Sequence, residues 1–460
     1  MSIDWQTEAN KYRQALLADL TTLINIPSVR DTAHATDDAP LGPGPAQALL
    51  AMLDIAKRDG FATHNIENVA GRIEYGSGAT TLGILGHMDV VPAGDGWQHA
   101  PFVATIEGNR IYGRGSADDK GPALAAYYAL RLLKEHGIVL QQQVHFILGS
   151  DEESNWYGMD RYQATNPMPD YGFSPDAEFP IINGEKGIAS LTLHYPKLTH
   201  QAPLKLTAFE AGVRVNMVPG KAVATIQGAL PTDWQAQLDH YAATHPVQVQ
   251  GDLSAQGLTI TVLGKGAHAL DPAAGINAAT HLATLIDPWL SDELFTSTIA
   301  KQLHEDPTGA KLGIAFRDAV MGELTCSADL FDYQAGTISL NVRYPQGITL
   351  VQIQARIQHA LPKGVQVAIT DAGHTPHYVP ENDPLVQTLL AVYHDHTGLL
   401  GTQKVIGGGT YGRLFKRGVA FGAMMPGREN VMHQADEYMV IDDLLQAVAI
   451  YADAIYRLTR

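Results

Sequence analysis

The sequence predicts an α/β protein: a sheet with helices packed on its faces, interrupted by an inserted α+β domain. Two observations predict this. Short apolar runs alternate with helical patterns over the first 186 residues and again from about residue 380. Between them the texture changes to closely spaced strand-like runs with few helices. A chain of 460 residues also exceeds one typical domain. The expected division is therefore a discontinuous domain, residues 1–186 and 380–460, and an insert, residues 187–379.

Taken in order, Trp5, Ala9, Tyr12, Leu16, Leu20 and Leu23 recur at helical spacing and predict one amphipathic helix. Ile26-Pro27-Ser28-Val29 ends it, and a polar loop rich in glycine and proline covers 30–45. Residues 46–58 read as a second helix stopped by Gly60. Strands are expected at 72–75, 81–85 and 144–148, with a strong helix at 121–136 between the last two. Residues 170–182 continue the alternation. In the insert, 188–195, 221–226, 258–263 and 337–344 read as strands, and 234–244 and 276–290 as helices. Beyond it, 384–396 is helical, 404–406 and 419–425 are strands, and 442–458 is a closing helix with acidic residues in its first turn.

Charge and cysteine content exclude several functions. Acidic residues outnumber basic ones 48 to 31, which argues against nucleic acid or an anionic membrane as the main partner. The single cysteine, Cys326, rules out an intramolecular disulfide and a cysteine-based zinc site. The start lacks a basic segment followed by an apolar core, and no apolar run reaches the about 20 residues that span a bilayer. The expectation is a cytoplasmic protein.

Chemistry concentrates where strands end. The run 81–85 leads into Gly86-His87-Met88-Asp89, and Tyr112-Gly113-Arg114-Gly115 leads to Asp118-Asp119-Lys120-Gly121. The run 144–148 leads into Gly149-Ser150-Asp151-Glu152-Glu153. Ligand sites of α/β sheets gather at the carboxyl ends of strands. Two cations held close together need imidazole and carboxylate ligands with one carboxylate shared, and His87, Asp118, Glu153, Asp176 and His433 are the candidates. From spacing alone each is more often a surface or turn residue than a ligand; it is the collective pattern that points to metal. Asp89, two residues beyond His87 in extended chain, is placed to accept a hydrogen bond from the imidazole. Glu152 and Glu153 diverge if extended, so that one binds metal while the other faces a water as general base. Two further patterns are set aside. His394-Asp395-His396 lies on an expected helix, where residues i and i+2 do not share a face. Gly407-Gly408-Gly409-Thr410 lacks the Lys-Ser/Thr pair of a phosphate loop, although its amides suit an anionic ligand.

Together these motifs resemble the co-catalytic zinc metallopeptidases, a family that includes glutamate carboxypeptidase, succinyl-diaminopimelate desuccinylase, acetylornithine deacetylase and the PepV-type dipeptidases. Ser174-Pro175-Asp176-Ala177-Glu178, Pro180-Ile181-Ile182-Asn183-Gly184-Glu185, Gly407-Gly408-Gly409-Thr410-Tyr411 and Met432-His433-Gln434-Ala435 extend the resemblance, which is nearest to the PepV-type branch. It implies a phosphorylase/hydrolase-like catalytic domain, with a mixed sheet and helices on both faces, and an enlarged α+β lid. It implies two Zn2+ per chain, with Mn2+ or Co2+ as alternatives. Asp118 would bridge them, His87 and Asp176 would complete one shell, and Glu153 and His433 the other. Asp89 would orient His87, Glu152 would be the general base, and a cis peptide would follow Asp118.

The resemblance also assigns lid residues. Gly266-Ala267-His268-Ala269 matches the lid histidine, so His268 would donate to the tetrahedral oxygen. Asn216 and Arg343 match positions near substrate. Arg343 is as well read as a strand-end salt bridge as a grip on the substrate carboxylate. Gly408, Gly409 and Thr410 complete the expected substrate loop. An enlarged lid stands in for a dimer partner, so a monomer is expected. The resulting reading is a dipeptidase that cleaves unblocked dipeptides by attack of a hydroxide bridging the metals. The alternatives are an N-acyl amino acid deacylase or desuccinylase, and a non-catalytic metal- or peptide-binding protein.

Overall fold

Six strands make the sheet that positions the site. Across it they run Ala62–Ile66, Ala70–Gly76, Gln143–Gly149, Thr81–His87, Tyr171–Ser174 and Gly418–Ala420. The computed structural model describes residues 3–196, 202–290 and 293–460. The last four strands pair in parallel and the first two antiparallel, so the sheet is mixed. The strand Thr81–His87 shows why both faces are covered. Leu82 and Ile84 join one apolar layer with Val144, Phe146 and Leu148, and Leu85 joins Ile147, Met159, Tyr162 and Phe415 on the other side. This alternation is the two-residue period of a strand, here apolar on both phases because neither face meets water. Each such side chain, when fully buried, stabilises the fold by about 1.5–3 kcal/mol.

The helix Lys120–Glu135 lies on the first layer and is buried at every position from Lys120 to Leu130. It packs against Ile441–Leu458, whose alanines allow close approach. The helix Tyr157–Thr165 serves the opposite face. This is the α/β class expected, with helices on both faces.

The chain divides into two units: Met1–Gly184, Tyr378–Lys404 and Gly409–Arg460 form the first, and Glu185–His377 with Val405–Gly408 the second. Residues 405–408, placed by the sequence in the first domain, group with the second unit. That unit is an eight-stranded antiparallel sheet, ordered Gln248–Ser254, Gly257–Leu263, Lys221–Gly228, Leu204–Ala211, Thr325–Asp332, Thr337–Tyr344, Gly187–His194 and Gln366–His374. Helices Trp234–Thr244, Ala278–Ile286 and Leu350–Ala360 pack on it around an apolar core.

Several expected elements differ. The first helix is two, Trp5–Asn10 and Arg13–Ile24, although the apolar spacing continues across the break. The second begins earlier, at Pro43, where a proline suits the first turn. The helix expected over 276–290 ends at Ile286 and continues as a 3-10 turn containing Pro288. The strand expected over 419–425 is two, interrupted at Gly422. Among the described residues no helix is long and apolar enough to cross a membrane.

Candidate active site

His87 closes the strand Thr81–His87, next to the C-terminal ends of Gln143–Gly149 and Tyr171–Ser174. Gly86 lets the following helix come close: a Cβ there would lie 2.8 Å from Asp119 Oδ2 and 2.9 Å from Ala123 Cβ. Asp119 uses that space to accept the His87 backbone N–H at 3.0 Å. The imidazole is wholly buried. Its Nδ1 lies 3.0 Å from the Asp89 carbonyl oxygen, which can only accept, so Nδ1 carries a proton. In the neutral ring, Nε2 then presents a lone pair. That atom faces Asp118 Oδ1 at 3.1 Å and Asp176 Oδ2 at 3.6 Å.

Asp118 is shared. Its second oxygen, Oδ2, lies 2.9 Å from His433 Nε2, which is also 3.1 Å from Glu153 Oε1. His87 therefore stands at one oxygen of Asp118 with Asp176 beside the imidazole, and His433 at the other with Glu153 beside it. Ligand atoms within 4.8 Å of one another form two overlapping groups, His87–Glu152–Asp176 and His87–Asp118–Glu153. Glu152 thus stands as near as the ligand candidates, and distance alone does not single it out as a base.

Backbone geometry explains how these residues are held. The Asp118–Asp119 peptide is cis, as the resemblance implied. Glu152 and Glu153 lie in a turn rather than in extended chain. Asp89 reaches both His87 and the glutamates: its carboxylate stands 3.5 Å from His87 Nδ1 and accepts the backbone N–H of Glu152 at 3.1 Å and of Glu153 at 3.2 Å. It orients His87 through its main-chain carbonyl and fixes the two glutamates with its side chain. Asp151, fully buried, braces the same turn by pairing with Arg30 and accepting the N–H groups of Asn155 and Tyr157. His433 has φ 63°, a left-handed conformation that costs a non-glycine residue about 1–3 kcal/mol and persists only where surroundings enforce it.

The electrostatics are those of an anion cluster short of positive charge. Burial opposes charge on His87, and Asp118, Asp176 and Asp89 outweigh it, lifting its pKa well above the usual value. Burial likewise opposes His433, yet Asp118 and Glu153 push it up to about 11. Burial, followed by the Asp118 charge, pushes Glu153 up to about 7. Burial also raises Glu152 and Asp176. Only Asp118 is lowered, because its two imidazole partners outweigh its burial. Imidazole and carboxylate donors crowded in this way fit divalent cations, which would replace protons as the counter-charge.

Tyr411, Asp119 and Asp151 belong to this site and were not singled out from the sequence. Tyr411 stands edge-on to His87 with ring centroids 6.3 Å apart. It needs Gly149, where a Cβ would lie 2.3 Å from its hydroxyl oxygen.

The remaining expected residues sit as follows. In the second unit, His268 and Asn216 come together: the strand Ala267–His268 pairs with Met217–Val218, and the Ala269 N–H donates to the Asn216 carbonyl at 2.9 Å. His268 is exposed, and its Nδ1 accepts from the Leu270 N–H. Arg343 is buried, donating to Asn341 Oδ1 at 2.8 Å and to the Gly407 carbonyl at 3.0 Å. The chain leaves the second unit between Gly408 and Gly409, and the Thr410 hydroxyl caps the turn Tyr411–Leu414 by accepting from the Gly412 N–H. His396 pairs with Asp453, and His394 with the Leu399 carbonyl, so these two histidines form no joint site.

Comparison with known proteins follows the same lines. The sequence model of peptidase family M20/M25/M40 matches residues 83–457. A Beta-Ala-Xaa dipeptidase of Lactobacillus delbrueckii subsp. lactis is 45% identical, over 100% of this chain and 99% of that protein. A putative dipeptidase of Staphylococcus haemolyticus is 40% identical over 99% of both. Among solved structures, human carnosine dipeptidase 1 shares the fold at TM-score 0.56 with 14% identity, covering 99% of each chain. The di-peptidase Dug1p from Saccharomyces cerevisiae does so at TM-score 0.57 with 14% identity, covering 98% of each.

Proposed function

The chain belongs to peptidase family M20/M25/M40 and is a hydrolase acting on peptide bonds, and from that premise we propose that it is a dipeptidase using two divalent cations, Zn2+ foremost. The observation that carries this reading is the placement of two imidazoles, His87 and His433, at the two oxygens of Asp118, with the carboxylates of Asp176 and Glu153 each beside one of them. His87 and Asp176 would hold one cation, Glu153 and His433 the other, and Asp118 both. Cations bound there would polarise the scissile carbonyl and acidify an attacking water.

The chain's own residues supply the rest. Glu152, half-buried among these groups and tied to Asp89 through its N–H, has its carboxylate left to take a proton from the water and deliver it to the leaving amine. Asp89 and Asp151 keep Glu152 and Glu153 in one turn, so that base and ligand keep their spacing. From the second unit we assign His268 to the oxygen that becomes negative in the tetrahedral state, and Asn216 to the substrate beside it. Arg343 is assigned to the substrate's terminal carboxylate, with Gly408, Gly409 and Thr410 lining the same end.

The substrate class rests on the full-length relative named as acting on β-alanyl dipeptides. We take dipeptides with a free amino group, β-Ala-Xaa among them, as the substrates, and a monomer as the acting species. Assay of unblocked α- and β-alanyl dipeptides beside N-acylated amino acids tests the reading. Cleavage of the free dipeptides supports it, and cleavage of the acylated compounds alone contradicts it.

A further inference from the structure

Glu437 is a carboxylate with no solvent exposure, four residues after His433. Its Oε1 accepts three backbone N–H groups, from Gly115 at 3.0 Å, Ala117 at 2.8 Å and Asp118 at 3.1 Å. Its Oε2 accepts from Arg114 Nη1 at 2.6 Å. Its own carbonyl accepts the Gly113 N–H at 2.9 Å. Every one of these contacts falls on the loop that carries Asp118, which lies 319 positions away in sequence. Arg114 is itself fixed, nearly unexposed, by the Ala93 carbonyl at 3.1 Å and the Trp97 ring.

The other end of the short segment is equally constrained. Asp436 accepts the backbone N–H groups of Gln98 and His99, and both His433 and Asp436 adopt left-handed backbone conformations. Residues 433–437 are therefore a strained turn pinned at its far end, with a metal-ligand candidate at its near end. An ordinary buried ion pair would account for the contact with Arg114 alone. Three N–H groups converging on one oxygen, the last belonging to the shared ligand itself, do more: they lock the Asp118 main chain to the His433 turn.

We propose that Glu437 is a positioning residue that sets the separation of Asp118 and His433, so that its carboxylate governs how tightly the metal site binds its cations. This rests on the ligand assignment given above. Such outer hydrogen-bond partners typically change metal affinity by about 10–100-fold. Glu437→Ala removes the acceptor for all three N–H groups. Glu437→Gln keeps one oxygen but turns an amide N–H toward Arg114.

The test is Zn2+ titration of metal-stripped full-length protein by calorimetry, with thermal melting of the metal-free form and steady-state kinetics at saturating Zn2+. The expected result is a folded Glu437→Ala that binds Zn2+ about 10–100-fold more weakly, a smaller loss for Glu437→Gln, and a kcat that falls more than KM changes. A folded variant with wild-type Zn2+ affinity and kcat overturns the proposal, whatever happens to its melting temperature. So does a Glu437→Gln that fails to fold even in excess Zn2+, because the residue would then be a folding determinant. Asp118→Asn is titrated in parallel. If it too binds Zn2+ normally, the ligand assignment has failed; if it loses Zn2+ while the Glu437 variants do not, only the present inference has.

Discussion

His87 in the first unit and His281 in the second are both almost completely buried, and their charges are driven in opposite directions. His87 is surrounded by Asp118, Asp176 and Asp89, which overcome its burial and raise its pKa. His281 meets the Tyr241 hydroxyl at 3.1 Å and the His304 ring edge-on at 4.7 Å, with His245 beyond and Glu305 as the nearby acid. There burial prevails, helped by His304, and lowers the pKa to about 4. Burial alone does not make a histidine a ligand. Carboxylate neighbours make it a candidate, because they create a demand for positive charge that a metal ion would meet; hydroxyl and imidazole neighbours make a neutral core residue.

The largest effect should come from breaking the shared carboxylate. If Asp118 is shared as proposed, Asp118→Asn would remove a ligand from both shells at once, so metal affinity should fall by more than the about 100-fold lost with an outer partner, and turnover with it. Elemental analysis after dialysis against chelator checks this. Glu152→Ala sharpens the distinction within the cluster, where distance does not separate base from ligand. Turnover should fall by about 10²–10⁴-fold while metal content stays at the wild-type level. Loss of metal together with activity would instead make Glu152 a ligand.

Gly149→Ala tests the packing behind His87. The new Cβ meets the Tyr411 ring and hydroxyl, and overpacking of this kind costs about 1–3 kcal/mol in thermal or urea unfolding. Adding Tyr411→Phe should recover part of that, because the hydroxyl oxygen is the nearest clash and ring carbons remain at 2.8 Å.

The smallest effect concerns the second unit. His281 has a folded pKa of about 4, below the ordinary 6.5, so the unfolded chain takes up its proton first on acidification. Its contribution to stability is complete above about pH 6.5 and is lost as the pH falls towards 4. His281→Gln should flatten the pH dependence of melting in that window and leave metal content unchanged. An unaltered pH profile would remove His281 from this role.

What the sequence disclosed follows from where pattern is strong. The helix Lys120–Glu135 and the strand Thr337–Tyr344 are long, apolar and bounded, and their expected limits fall within a residue of those observed. The strands Ala62–Ile66 and Gln248–Ser254 lie at sheet edges and are largely exposed, with few strongly apolar residues to mark them in the sequence. The polar helix Tyr157–Thr165 was missed for the same reason. At the site, the ligand candidates are legible only as a set of imidazole and carboxylate residues after apolar or glycine-rich runs, since spacing alone favours a turn residue at each. The bonds that hold them were not legible. Asp89 acts on His87 through a carbonyl and on the glutamates through their amides, and such main-chain contacts leave no trace in side-chain pattern. Glu437 reaches its partners across most of the chain, brought to them by the antiparallel pairing of Tyr438–Val440 with Arg110–Tyr112.

The central claim is that Asp118 holds two cations, one on each oxygen. Anomalous diffraction at the zinc edge from crystals grown with Zn2+ tests it most directly. Two peaks are expected, one beside His87 and Asp176 and one beside His433 and Glu153, with the Asp118 carboxylate between them. A single peak, or peaks that leave Asp118 outside both shells, would contradict the account.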